Sequence, residues 1–156
     1  MNAVGQSTIS VIIPARNEEA SIGRVVADVR CVVADAEIIV VNDASTDATA
    51  QIARNAGAQV IDHAYSKGNG AAIKSGVRAA CGEWLVFMDG DGQHEASYIE
   101  PLLQSLREGN DLVVGARKRE SQAGAWRHWA NTFYNMLASW IVGHRVRDLT
   151  SGFRAA

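Results

Sequence analysis

Residues 10–19 read SVIIPARNEE. The first four residues of this stretch are mostly β-branched and predict a short buried strand, which we expect to stop at Pro14 because proline has no N–H to donate to a neighbouring strand. A polar cluster follows at once. The same order recurs in residues 37–47, EIIVVNDASTD, and in residues 84–94, WLVFMDGDGQH. Strands that run directly into polar clusters predict a sheet with a functional edge.

The segments between these strands have helical spacing. Ser21 to Val33 places its apolar residues three and four positions apart, and Gly57 follows a second helical segment where a C-terminal cap belongs. The further predicted helices are Asp47–Ala56, Ala71–Ala80, Ser97–Arg107 and Trp126–Val142. The further predicted strands are Gln59–Ile61 and Leu112–Val114.

Strands and helices therefore alternate along the chain, and the strands are continuously apolar. This pattern predicts an α/β fold, a doubly wound and mostly parallel sheet with helices on both faces. In such sheets ligands bind beyond the carboxyl ends of the strands. The polar clusters Pro14–Glu19, Asn42–Asp47 and Asp89–His94 fall there, so we expect them to form one site.

Composition limits the class of protein. The 156 residues suffice for one domain, and the net charge of −2 argues against a nucleic-acid partner. Cys31 and Cys81 have no metal-ligand spacing, so we expect two small core residues in a reducing, cytoplasmic compartment. No signal peptide is visible, and no apolar run reaches the roughly 18 residues of a membrane span.

The cluster Asp89-Gly90-Asp91-Gly92-Gln93-His94 is the best candidate for chemistry. Two carboxylates at alternate positions of an extended backbone face the same way, and the glycines permit positive φ and close approach of a diphosphate. Such oxygen ligands suit Mg²⁺ or Mn²⁺. The alternative is an ordinary acidic turn, since Asp and Gly are common turn residues.

Two further clusters suit a nucleotide. Asp43 can accept hydrogen bonds from a base, although Ser45 or Thr46 could simply cap the next helix, with Asp47 near its positive end. Lys67, in a glycine-rich stretch before a helix, can neutralise phosphate, or it can be a solvated surface lysine. The stretch matches neither the dinucleotide fingerprint nor the P-loop spacing.

Taken together, these motifs resemble family 2 glycosyltransferases of the GT-A fold, and within them the dolichol- and polyprenyl-phosphate sugar synthases. The resemblance covers essentially the whole chain, because Gly115-Ala116-Arg117 and Asp148-Leu149-Thr150-Ser151-Gly152-Phe153-Arg154 continue it. It implies a metal-dependent, inverting transfer of a hexose from a nucleotide sugar such as GDP-mannose or UDP-glucose to a lipid phosphate. A transferase acting on a carbohydrate or small hydroxyl acceptor, or a non-catalytic nucleotide-binding module, remains an alternative.

The resemblance also implies residue roles. Pro14, Ala15, Arg16 and Glu18 would line the nucleoside pocket, and Asp43 would read the base. Asp89, Asp91 and Gln93 would hold the metal against the diphosphate, with Asp91 acting in catalysis through that metal. Arg117 and Arg127 would grip phosphate groups, and Ser151, Gly152 and Arg154 would help to close the acceptor side.

Two departures from the family are visible. Asn42 stands where the family usually has a first acidic residue, which leaves the identity of the base open. The family normally continues well past the Ser-Gly-Phe-Arg turn, so we expect a single catalytic domain that is truncated at its C-terminus.

The segment Trp126–Val142 bears an apolar stripe with three tryptophans and flanking basic residues. It could pack into the core, lie in a membrane headgroup region, or form a homodimer contact. His63 and His94 are the other proton carriers near the expected site. Either could assist if the acceptor were a hydroxyl, but we expect them to be ordinary hydrogen-bonded surface groups.

Overall fold

The computed structural model describes residues 9–115 and 152–156. Six strands form one sheet in the order β3-β2-β1-β4-β6-β5. They are β1 (Ile9–Ala15), β2 (Glu37–Asn42), β3 (Gln59–Asp62), β4 (Trp84–Phe87), β5 (Val113–Val114) and β6 (Arg154–Ala155). The first four are parallel, and β6 runs antiparallel to both β4 and β5.

In the part of the chain that the structure describes, four helices cover the two faces of this sheet: α1 (Ile22–Val32), α2 (Thr49–Asn55), α3 (Asn69–Ala79) and α4 (Ile99–Arg107). A short 3₁₀ turn, Ala96–Tyr98, precedes α4. Side chains of α1, α2 and α4 join the larger buried cluster on one face, whereas α3 packs on the other face. The predicted doubly wound, mostly parallel α/β sheet is confirmed.

Packing rather than capping stabilises these helices. None of the four has a hydrogen bond from its N-cap side chain, which is worth about 1 kcal/mol. In contrast, α4 buries Ile99, Leu102, Leu103 and Leu106, and each such side chain contributes about 1.5–3 kcal/mol. In α1 and α4, the three- and four-residue spacing of apolar residues read from the sequence therefore contributes more to helix stability than capping does.

The prediction that Pro14 ends the first strand is wrong. In β1 the carbonyl of Ile12 accepts from Met88 on the β4 side, whereas that of Ala15 accepts from Asp43 on the β2 side. By this alternation Pro14 faces the β4 side, where pairing has already ended at Phe87. Its missing N–H therefore breaks no ladder bond, and the strand continues.

The two cysteines are also placed differently from expectation. Cys31 lies in α1 and Cys81 follows the end of α3, and both are exposed rather than buried in the core. Cys81 instead contributes its backbone N–H, which donates to Glu37 Oε2 at 2.9 Å.

The predicted helix Trp126–Val142 lies outside the described residues. Within residues 9–115 and 152–156, every helix is too short or too polar to cross a lipid bilayer. The strand β6 was not expected, because two paired residues after a Ser-Gly-Phe turn leave no periodic signal.

Candidate active site

A cavity of about 340 Å³ opens at the carboxyl edge of β1, β2 and β4, which is within the usual size of small-molecule sites. The polar clusters that follow these three strands supply most of its wall. It is lined by Pro14, Ala15, Arg16, Glu18, Asp43, Ser66, Gly68, Asn69, Ala72, Asp89, Gly90 and Asp91. The expected convergence of the three clusters at one site is therefore present.

Asp89 and Asp91 stand on the turn that follows β4, and both line the cavity. Asp91 Oδ1 accepts from the backbone N–H of Gln93 at 2.9 Å, which fixes the turn. Gly92 has φ +75°, as expected for such a turn, but Gly90 does not adopt positive φ. A different constraint favours glycine at position 90, because a Cβ there would lie only 3.2 Å from the Cβ of Ala15.

The two carboxylates suit a divalent cation that takes its other ligands from a substrate and from water. Among residues 9–115 and 152–156, no group of three His, Cys, Asp or Glu side chains is arranged to hold a metal alone. Gln93, the third predicted ligand, is exposed and does not line the cavity. A hard cation that keeps waters and takes diphosphate oxygens needs only one or two protein carboxylates, so the donor set suits Mg²⁺ or Mn²⁺.

The residues that lead into β6 pack directly behind Asp89. An ideal Cβ on Gly152 would overlap the carboxylate of Asp89, so the backbone passes as close as glycine allows. The ring of His94 stacks on Phe153 with centroids 5.3 Å apart, and its Nε2 lies 3.7 Å from Asp89 Oδ2. His94 is mostly buried in this stack rather than a surface group, and Asp89 is thus enclosed from two sides.

The loop after β1 forms the opposite wall. Arg16 is exposed at the cavity, and within the described residues its guanidinium has no carboxylate partner. Glu18 and Gly90 are both tied to Ser21, whose hydroxyl lies 3.2 Å from Glu18 Oε2 and 2.8 Å from the carbonyl of Gly90. Ser21 therefore connects the first loop to the acidic turn.

Reciprocal hydrogen bonds join residues 17–19 to residues 45–49, an arrangement that we call the loop clamp. The N–H of Asn17 donates to Ser45 Oγ and that of Glu18 donates to Thr49 Oγ1, at 3.0 and 2.8 Å. Asp47 and Glu19 complete the clamp. Glu19 N–H donates to Asp47 Oδ2, and Glu19 Oε2 accepts from Ala48 N–H.

The loop clamp corrects the expected capping roles. Ser45 and Thr46 do not cap α2 but bind Asn17, whose Oδ1 accepts from the Thr46 N–H at 2.8 Å. Asp47 does act at the helix start, where its Oδ1 accepts from the N–H of Thr49. The hydroxyl of Thr49 lowers the pKa of Asp47 by donating to its carboxylate.

Asp43 lies in the cavity wall with all its acceptor positions in use. Oδ1 accepts from His63 Nδ1 and Lys67 N–H, at 2.7 and 2.8 Å. Oδ2 accepts from Ser66 Oγ and Gly68 N–H, at 2.8 and 2.9 Å. Burial raises the pKa of Asp43, but these hydrogen bonds outweigh it and hold the pKa well below its ordinary value, so the carboxylate is ionised at neutral pH.

Comparison with known proteins identifies the family. A profile described as Glycosyl transferase family 2 matches residues 10–155. The chain belongs to glycosyltransferase family 2. It is 34% identical over 150 residues to the dolichyl-phosphate hexose transferase of Haloferax volcanii, and 32% identical over 151 residues to glycosyltransferase AglJ of the same organism. Those alignments cover 94% of this chain but only 65% and 49% of the two relatives.

Solved structures confirm the GT-A fold of the family. The glucosyl-3-phosphoglycerate synthase of Mycobacterium tuberculosis, crystallised with Mn²⁺ and UDP-glucose, superposes with a TM-score of 0.77 at 28% identity. The match covers 96% of this chain and 55% of the synthase. The chain thus spans about half the length of that synthase as well.

Most of the predicted family 2 residues meet at the cavity. Lys67 is an exception, because only its backbone serves Asp43 while its exposed side chain lies over the ring of Tyr65, 5.4 Å from the centroid. Arg154 lies in β6, paired with Phe87 and Val114. Arg117, Arg127 and Ser151 lie outside the described residues, so their roles stay predictions.

Sequence reasoning missed four lining residues and misjudged His63. The first turn of α3 and the turn before it face the cavity, which the glycine-rich sequence does not reveal, and they contribute Ser66, Gly68, Asn69 and Ala72. His63 is 7% exposed, not a surface group, and it contacts Asp43. Its position in the sequence could have indicated this contact, because His63 directly follows β3 and Asp43 directly follows the neighbouring strand β2.

Proposed function

We propose that this chain carries the donor site of a glycosyltransferase that moves a hexose from a nucleoside-diphosphate sugar to a polyprenyl phosphate. One observation carries the proposal: Asp89 and Asp91 border the same cavity as Asp43 and the Pro14–Glu18 loop. A nucleotide sugar requires cation ligands beside its diphosphate and a cavity wall that encloses its nucleoside.

In this proposal each part of the cavity has a task. Pro14, Ala15 and Glu18 enclose the nucleoside, while the exposed guanidinium of Arg16 faces the phosphates. Asp89 and Asp91 hold Mg²⁺ or Mn²⁺, and when bound the cation offsets the charge that grows on the leaving diphosphate. Gly90 and Gly68 leave room for the backbone to approach the ligand.

The acceptor proposal rests on the relatives' names and on the chemistry of phosphate. The Haloferax relative is named a dolichyl-phosphate hexose transferase, and a Pseudomonas aeruginosa relative, 29% identical, is named an undecaprenyl-phosphate 4-deoxy-4-formamido-L-arabinose transferase. A phosphate acceptor is already anionic at neutral pH and needs no general base. At a membrane surface, the acceptor phosphate would be oriented for inverting transfer by Arg117, Arg127, Ser151, Gly152 and Arg154.

A small hydroxyl-bearing acceptor is the second candidate. The solved structure of glucosyl-3-phosphoglycerate synthase with phosphoglyceric acid matches with a TM-score of 0.77 at 27% identity. Product assays with dolichyl phosphate and with 3-phosphoglycerate, using the full-length protein, would separate the candidates. A product of retained anomeric configuration would reject the inverting scheme.

The first test is calorimetric titration with UDP, GDP and their glucose and mannose conjugates, with and without Mn²⁺. We expect one nucleotide to bind in a manner that needs the cation. Asp91→Asn should weaken that binding by about tenfold or more, because it removes a charged ligand of the cation.

Asp28→Asn is the matched control. Asp28 is exposed on α1, away from the cavity, and should leave the affinity unchanged. Equal affinity of wild type and Asp91→Asn would reject the metal role, and no binding of any nucleotide would reject the donor site.

A further inference from the structure

A chain of three polar side chains runs from the cavity wall to the middle of α3. His63 Nδ1 lies 2.7 Å from Asp43 Oδ1, and His63 Nε2 lies 2.9 Å from the hydroxyl of Ser75. Both Asp43 and His63 are buried. We call this arrangement the polar chain.

The direction of the hydrogen bonds follows from the groups involved. An ionised carboxylate only accepts, so Nδ1 of His63 carries the proton and donates to Asp43. In the neutral ring Nε2 then accepts from the hydroxyl of Ser75. Ser75 lies within α3 and does not line the cavity, so the polar chain has no substrate-facing nucleophile.

His63 differs from the other partners of Asp43 in how it is held. Ser66, Lys67 and Gly68 belong to the turn that leads into α3, and they reach Asp43 from that turn alone. His63 is anchored at three points. Its N–H donates to the carbonyl of Asn42 at 2.9 Å, and its two ring nitrogens contact Asp43 and Ser75.

Asp43 in turn anchors the 66–68 turn. Both of its oxygens accept a backbone N–H from that turn, and Ser66 and Gly68 line the cavity. The orientation of one carboxylate therefore sets the position of this wall. A side chain that fixes the carboxylate fixes the wall as well.

We propose that His63 is a positioning residue for nucleotide recognition, which orients Asp43 so that the Ser66–Gly68 turn forms the wall of the donor cavity. The inference rests on the proposed function, because it assigns His63 to the nucleotide side of that site. Its own contribution is to affinity for the nucleotide and not to the transfer step.

Two nearly isosteric variants separate positioning from mere stability. In His63→Asn the amide nitrogen occupies the place of Nδ1 and still donates to Asp43, but the contact with Ser75 is lost. In His63→Gln the amide reaches the place of Nε2 and Ser75, but the donor to Asp43 is lost. Each variant keeps one of the two ring contacts. Because a hydrogen bond to a carboxylate is worth more than one to a hydroxyl, we expect His63→Gln to lose more folding stability than His63→Asn, and nucleotide affinity is compared under conditions in which both variants are folded.

Nucleotide affinity should divide the pair. We expect His63→Gln to raise the Kd for the nucleoside diphosphate with Mn²⁺ by about tenfold, the scale of one hydrogen bond to a charged group, while His63→Asn stays close to wild type. With a competent acceptor, KM for the donor should change and kcat should not. Equal Kd values for the two variants would overturn the inference.

Amide hydrogen exchange gives a readout without a ligand. The Lys67 and Gly68 amides, which donate to Asp43, should exchange faster in His63→Gln than in His63→Asn. Unchanged exchange in both variants would overturn the positioning role. If wild type binds no nucleotide but the exchange rates differ as expected, the proposed function fails while the structural part of the inference stands.

Discussion

At the scale of single residues, the site depends on close approaches that leave room for glycine but not for a Cβ. Gly152 lies so close to Asp89 that any Cβ would overlap the carboxylate, and Gly115 is similarly close to the ring of Phe153. Gly152 lies far along the chain from Asp89, so the position of this proposed cation ligand depends on a distant segment.

We therefore predict that Gly152→Ala displaces Asp89 and weakens cation-dependent nucleotide binding by about tenfold, because one ligand of the cation is misplaced. Titration with Mn²⁺ and the preferred nucleotide measures the effect. Gly70→Ala is the control, since a Cβ there meets no atom within 4 Å. Wild-type affinity in Gly152→Ala would show that Asp89 does not depend on this contact.

The side chain of Asn42 is likewise held by specific contacts. Its Nδ2 donates to Asp62 Oδ1 at 2.8 Å, and its Oδ1 accepts from the N–H of Ser45 at 3.1 Å. A carboxylate at this position could not donate to Asp62. The departure from the usual acidic residue is thus matched by a local partner, and Asn42 itself does not line the cavity.

At the scale of elements, the loop clamp decides how the first two loops meet. Its buried member is Thr49, which is fully enclosed, accepts from Glu18 N–H and donates to Asp47. Thr46, in the same loop, is exposed, and its hydroxyl donates to Asn17 Oδ1 at 3.3 Å.

Thr49→Val keeps the shape of the side chain but leaves the N–H of Glu18 without its acceptor. We predict a loss of about 1–3 kcal/mol in the free energy of unfolding, the cost of an unsatisfied partly buried donor. Thr46→Val should change it by less than about 0.5 kcal/mol, as surface substitutions do. Urea denaturation measures both, and equal losses would contradict the role given to the loop clamp.

At the scale of the whole molecule, the ionised carboxylates at the sheet edge couple folding to pH. The pKa values of Asp43 and Asp47 both lie below the ordinary value of 3.8 in the folded chain. The unfolded chain therefore binds more protons in acid. The stability from these groups is present above the ordinary value and is lost as the pH falls below it.

We predict that the free energy of unfolding decreases as the pH is lowered from about 5 to about 2, and that Asp43→Asn makes this decrease shallower. Denaturant titrations at several pH values measure the slope. Asp28→Asn, with its exposed carboxylate on α1, should keep the wild-type slope. An unchanged slope in Asp43→Asn would mean that its hydrogen bonds do not favour the ionised form.

The layered α/β sheet, the helix faces and the convergence of three polar clusters can be predicted from the chain alone, because apolar periodicity and the parallel order of strands are local or topological properties. The identity of the side chains that complete the site depends instead on tertiary contacts. Pro14 continues β1 because β4 ends early, His63 is buried because β3 delivers it beside Asp43, and Gly152 reaches Asp89 through a two-residue strand. Each of these outcomes depends on contacts between distant segments, which leave no local pattern in the chain.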